Sequence, residues 1–232
     1  MARLQLLRQL LSHVQKHRGT SLAYLSGNFK LMGDIEKLQE SVLRDFSAMS
    51  RIRSEVELSE TWDSITQHWA RLSTSFYKND IENNLVQHNR LIQSVLFLIE
   101  ETAVKHDLSH LQVDNAKAMS FLWKELLSAI EVIGQTRAIG IVIATQGDGS
   151  NMSQHRLRLL RDNVAEATEL VWSSIKTAAQ HRRLLDELLT CIDEQLLVPT
   201  PCISPDDYFQ KCTALMDCLY EQYDQVLHQY RF

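Results

Sequence analysis

The sequence predicts an all-α protein: about eight helices, forming two up-down four-helix-bundle halves. Three observations carry this. The 232 residues include only seven Gly and three Pro, and Pro199, Pro201 and Pro205 all fall in one short stretch. A chain with so few breakers favours uninterrupted helices. Apolar residues recur at helical spacing, as in Leu4, Leu7, Leu11, Val14 and then Leu22 and Leu25. A second stretch repeats the stripe as Trp123, Leu126, Ile130, Ile133 and then Ile141 and Ala144, each 119 positions beyond its counterpart.

The elements follow in order. Helix 1 is expected over about Arg3–Ser26, ending where Gly27 can take a left-handed C′ conformation. Helix 2 is expected after Gly33 with Asp34 as cap and a stripe of Ile35, Leu38, Val42, Phe46 and Met49, broken by the polar run Arg51–Glu57. Ser59 is the expected cap of helix 3, whose apolar face is Trp62, Ile65, Trp69, Leu72 and Phe76. Asn79-Asp80 caps helix 4, which carries Leu85, Ile92, Val95, Leu96 and Ile99 and fades near His106. Helix 5 is expected from Leu111–Asp114 to Thr145, roughly 45 Å long at 1.5 Å per residue. The run Gln146-Gly147-Asp148-Gly149-Ser150 ends it. Helix 6 starts near Ser153, and helix 7 covers about Arg182–Leu197, either continuous with helix 6 or separate. Val198–Pro205 is a loop, and Asp206 or Asp207 caps helix 8, which runs on through Phe209, Leu215, Met216, Leu219 and Val226.

The repeat extends beyond the first stripe. Gln87-His88-Asn89-Arg90-Leu91 lies over Lys211-Cys212-Thr213-Ala214-Leu215 at an offset of 124. The expectation is therefore one domain over 1–232 built of two copies of a four-helix unit, 1–110 and 111–232.

Composition narrows the function. Hydrophobic residues at 44% and charged residues at 23% are ordinary for a globular chain. The net charge of −5 comes without a basic tract, so no nucleic-acid partner is expected. The N-terminus lacks an uninterrupted apolar run with a cleavage site, and the window Ile139–Ala144 is too short to span a bilayer. No membrane partner and a cytoplasmic location are expected. Cys191, Cys202, Cys212 and Cys218 fit no zinc spacing and are expected to be reduced core thiols.

One residue in each stripe breaks the pattern. Helical periodicity places Arg18 in line with Val14 and Leu22, and Arg137 in line with Ile133 and Ile141. A single such arginine usually snorkels to water or pairs with a carboxylate. No acidic residue occupies an equivalent stripe position on helices 1 and 5, and Glu131 is off the stripe. If the halves pack about a pseudo-two-fold axis, two converging guanidinium groups repel unless a small anion lies between them. A planar oxyanion matches the arginine fork bidentately. Gly19 and Gly140 are mid-helix glycines, which favour close approach of a backbone or ligand. Gln15, Gln135, Thr20, Ser21 and Thr136 supply neutral hydrogen-bonding groups nearby.

The run Gln15-x-His17-Arg18-Gly19-x-Ser21 resembles the Q-x-E-R-G-x-S signature of the NIT domain, the nitrate- and nitrite-sensing domain of bacterial signalling proteins. Gln135-Thr136-Arg137-Ala138-Ile139-Gly140 is similar to that family's second E-R-A/G-x-G motif, and the segment from Asp206-Asp207-Tyr208-Phe209 to Leu219 to its closing helix. The resemblance covers nearly the whole chain. It implies a ligand-sensing helical domain that binds nitrate or nitrite between bundle halves through arginines and signals to an output partner. Only Arg18 and Arg137 carry over as ligand-binding residues. His17 and Thr136 stand where the family has Glu, which makes the site less acidic and bears on selectivity.

Other chemistry is sparse. His13 and His17 form an i, i+4 pair without a third metal ligand nearby, and His106 and His110 form a similar one. No phosphate loop, H-E-x-x-H or G-x-S-x-G occurs. Trp62, Trp69, Trp123 and Trp172 are expected as core anchors. The expectation is a non-catalytic sensor without a cofactor, with a small inorganic anion as ligand. Its output would be an unknown signalling protein, and a homodimer is compatible with it. The alternative is a helical adaptor without a small ligand, whose arginines pair internally with carboxylates.

Overall fold

The computed structural model describes residues 2–52, 60–108, 111–113, 117–147, 151–175 and 179–229. The chain is all-α. Its α-helices among the described residues are α1 Ala2–Leu25, α2 Met32–Ile52, α3 Glu60–Ser75, α4 Ile81–Lys105, α5 Leu127–Gln146, α6 Asn151–Trp172, α7 Ala179–Cys191 and α8 Pro205–Gln229. Two compact units contain them, Met1–Ser109 with α1 to α4 and His110–Phe232 with α5 to α8.

Within the first unit, α1 packs on both α2 and α4, and α3 packs on α4. Within the second, α5 packs on both α6 and α8, and α7 packs on α8. The stripe residues Leu4, Leu7, Leu11, Val14 and Leu22 are all buried, as are Ile35, Val42 and Met49 of α2 and Leu85, Ile92, Val95 and Ile99 of α4. Each such side chain contributes about 1.5–3 kcal/mol on burial. The stripe of α5, with Ile130, Ile133 and Ile141, is buried likewise, and so are all four tryptophans.

Helix ends follow local chemistry. Gly27 has φ +122°, and the amides of Gly27 and Asn28 bond back to the carbonyls of Tyr24 and Ala23, closing α1. Gly147, at φ +64°, closes α5 through its amide to the Ile143 carbonyl. Asp80 caps α4 by accepting from the Asn83 amide at 2.7 Å, as its sequence position indicates.

Three expectations need correction. Asp34 does not cap α2, because a 3-10 turn over Phe29–Leu31 starts the helix at Met32; Asp34 lies in the first turn, paired with Lys37. The helix ends at Ile52, inside the polar run expected to break it, while 53–57 and the expected cap Ser59 lie outside the described residues. Helix 5 does not begin at Leu111–Asp114. A two-residue antiparallel pair, Gln112–Val113 with Lys117–Ala118, occupies that stretch, and a π-turn over Leu122–Leu126 leads into α5. The cap of α8 is Ser204, not Asp206 or Asp207. Its Oγ accepts the Asp207 amide at 3.0 Å and donates to the Asp207 carboxylate at 2.7 Å, with Pro205 at the first helical position.

Helices α6 and α7 are separate elements, and α7 ends in a π-turn over Ile192–Leu196. The apolar length of the α5 region also exceeds the Ile139–Ala144 window. Leu122–Gln146 spans 25 residues with mean hydropathy 1.6, enough by length and composition to cross a bilayer, yet 83% of that window is buried inside the protein.

Candidate functional site

Arg18 and Arg137 are both inside, at 0% and 1% exposure, each on the helix that contacts two others in its unit. Arg18 Nη1 donates to Asn89 Oδ1 of α4 at 2.7 Å. Arg137 Nη1 donates to Thr213 Oγ1 of α8 at 2.9 Å. The offset of 119 relates the two arginines, and the offset of 124 relates Asn89 to Thr213. The first helix of each unit thus presents a buried guanidinium to the same position on the last. The sequence overlay contains both acceptors, but periodicity on α1 gives no means of choosing Asn89 as the residue that faces it.

The surroundings differ. In the first unit, His17 and His88 are fully buried and lie 2.8 Å apart, Nδ1 to Nε2. The direction of this chain is set at its end. His88 Nδ1 meets the Asn84 carbonyl at 2.9 Å, which can only accept, so Nδ1 carries the hydrogen. His88 Nε2 then accepts from His17 Nδ1, and His17 Nε2 accepts from Gln39 Nε2 at 3.3 Å. Gln39 also donates to the Ser73 carbonyl at 3.0 Å, so the chain ties α2, α1, α4 and α3 together. Burial drives the His17 pKa down to about 3. Burial, the neighbouring His17 and the Arg18 charge hold His88 well below its ordinary value. Both rings are neutral at physiological pH and add no charge beside Arg18.

In the second unit, the positions of His17 and His88 are taken by Thr136 and Cys212. Tyr208 is fully buried and donates its hydroxyl to the Thr136 carbonyl at 3.0 Å. Burial raises its pKa well above the usual range. The Phe209 ring lies 4.7 Å from the Arg137 guanidinium carbon, a cation–π arrangement. Its counterpart in the first unit is the aliphatic Leu85.

Gly140 is explained by Tyr208. A Cβ at Gly140 would overlap the Tyr208 ring, so the glycine makes room for an aromatic side chain rather than for an anion. The matching pair in the first unit is Ser21 and Asn84, where Ser21 Oγ donates to Asn84 Oδ1 at 3.1 Å. At this place the second unit has a glycine against an aromatic ring, and the first has two polar residues bonded to each other.

The other expected site residues are placed as follows. Gln15 and Gly19 are buried on α1. Thr20 donates its hydroxyl to the Lys16 carbonyl at 3.0 Å, and Thr136 donates to the Val132 carbonyl at 2.8 Å. These hydroxyl hydrogens, with that of Ser21, are committed within the protein, so they add no donor to a bound anion. Gln135 donates to the buried Glu131 at 3.0 Å. His13 and His17 do not act together, since His13 meets the buried Asp45 at 2.6 Å while His17 turns to His88. Among the cysteines, Cys191, Cys212 and Cys218 are buried, with burial pushing their thiols up to about 11, 12 and 12. Cys202 is exposed, which corrects the expectation of four core thiols.

A comparison of the chain with protein-family models, curated proteins and solved structures finds no match.

Proposed function

We propose that the protein is a non-catalytic sensor of a small oxyanion of the nitrate or nitrite type, with Arg18 and Arg137 as the groups that take the anion and a signalling protein as the listener. The observation that carries this reading is the matched placement of two buried guanidinium groups, each steadied by a neutral oxygen from the last helix of its unit. A guanidinium stays charged at any physiological pH, and placing it inside a protein is costly. A neutral amide or hydroxyl oxygen holds one nitrogen of each fork in place. The neutral His17–His88 pair adds no charge. The planar fork of a guanidinium matches a planar oxyanion bidentately. The recurrence of the same contact at matched offsets also supports an origin by internal duplication.

Ligand binding would favour one packing of the helices over another by its differential affinity for the two, and the partner would read that shift. Thermal unfolding tests the reading. Nitrate or nitrite raises the Tm of the whole chain above that in chloride at equal ionic strength, and Arg18→Ala loses the increment. Equal Tm values in all three anions contradict it.

A second reading, a helical adaptor, has one observation in its favour. Phe97 and Val104, seven residues apart on α4, are 59% and 61% exposed. It predicts no anion response and capture of a protein partner that Phe97→Ser abolishes.

A further inference from the structure

The first unit carries a second cationic feature, away from the buried arginine. A cleft of about 490 Å³ opens on α3 and α4, lined by His68, Arg71, Leu72, Asn79, Gln87 and Arg90 together with Ser75. Among the described residues no carboxylate lines it. Arg71 and Arg90 are exposed side chains that line the cleft from different helices. Neither has Asp or Glu three or four positions away: Arg71 is flanked by Gln67, His68, Thr74 and Ser75, and Arg90 by Val86, Gln87, Gln93 and Ser94. The helix spacing that normally neutralises a surface arginine is therefore missing at both. No ion pair involves either among the described residues.

The rest of the cleft is built around them. Leu72 forms an apolar floor at 3% exposure. His68 donates from Nε2 to Gln87 Oε1 at 3.0 Å, which fixes one wall across the two helices. Burial lowers the His68 pKa first, the bond to Gln87 opposes that, and the charges of Arg71 and Arg90 lower it further. Both guanidinium groups are thus within electrostatic reach of one ring. Asn79 accepts from Asn83 through Oδ1 at 3.3 Å, and its side-chain amide is part of the cleft lining.

We propose that the cleft on α3 and α4 is an anion site of its own, taking a small phosphorylated molecule through Arg71 and Arg90. Two forks plus an amide suit a dianionic, tetrahedral phosphoryl group better than a planar monoanion. The volume exceeds what one inorganic ion fills and leaves room for a sugar- or nucleoside-sized body on Leu72. The site is independent of Arg18 and Arg137.

Pyrophosphate serves as the probe, titrated calorimetrically into the whole chain. Wild type binds it, Arg71→Ala and Arg90→Ala each weaken binding by about tenfold or more, and the double variant binds none. Both arginines are exposed, so the double variant keeps its helical circular dichroism and whatever Tm response to nitrate the wild type has. Absence of pyrophosphate binding, binding unchanged in the double variant, or equally tight binding of succinate each overturn the proposal.

Discussion

Arg18 of α1 reaches Asn89 of α4 across 71 residues of sequence, a buried guanidinium held by an amide oxygen at 2.7 Å. Arg137 and Thr213 repeat the relationship across 76 residues at 2.9 Å. If the amide and hydroxyl orient the forks, their removal alters anion affinity without removing the charge. Asn89→Ala and Thr213→Ala are each expected to weaken nitrate binding by roughly ten- to hundredfold, in line with the loss of about 1.5–3 kcal/mol of hydrogen bonding to a charged group. Isothermal calorimetry on the two variants measures it, and affinities equal to wild type would show that the forks need no such support.

Gly140 and Gly33 make opposite predictions for the same substitution. Gly140→Ala drives a methyl group into the Tyr208 ring and is expected to cost about 1–3 kcal/mol in urea unfolding. Adding Tyr208→Leu recovers part of that loss. Gly33 lies in α2 with nothing within 4 Å of its Cβ position. Gly33→Ala is expected to be neutral or to stabilise by up to about 1 kcal/mol.

The His17–His88 pair predicts a specific pH dependence. Both folded-state pKa values lie below the ordinary 6.5, His17 at about 3. As pH falls below about 6.5 the unfolded chain takes up protons that the folded chain refuses. The stability they contribute is therefore complete above that pH and lost as pH falls toward 3. Each histidine adds up to about 1.4 kcal/mol per pH unit to the slope. Replacing the pair by its second-unit counterparts, His17→Thr with His88→Cys, is expected to flatten the slope of unfolding free energy between pH 6.5 and 4. Parallel curves for the two proteins would contradict neutral burial.

Ser204 gives a smaller effect that stays local. Ser204→Ala removes the acceptor for the Asp207 amide and is expected to destabilise by about 1 kcal/mol in thermal unfolding. Asp206→Ala, one residue off the capping bond, is expected to change little.

Much of this was legible before the fold was known, and the limits have physical causes. Stripe periodicity places Arg18 and Arg137 in the interior because inward direction along a helix repeats every 3.6 residues. It says nothing about which residue of another helix faces them, because that depends on the register between α1 and α4. The His17–His88 pair is invisible for the same reason, and Gly140 looked like room for a ligand until Tyr208 was seen to fill it. The start of α5 was misplaced because Gln112–Val113 and Lys117–Ala118 pair as strands over a stretch too short to show a period of two. The caps at α2 and α8 went astray by a few positions, since Asp34, Asp206 and Asp207 also suit a first helical turn.

The stoichiometry of nitrate binding to the whole chain bears most directly on the two arginines. Titration calorimetry at constant ionic strength is expected to give saturable binding in wild type, lost in Arg18→Ala and in Arg137→Ala while both variants remain folded by circular dichroism. Nitrate heats indistinguishable from chloride in wild type, or unaltered by both substitutions, would contradict the account.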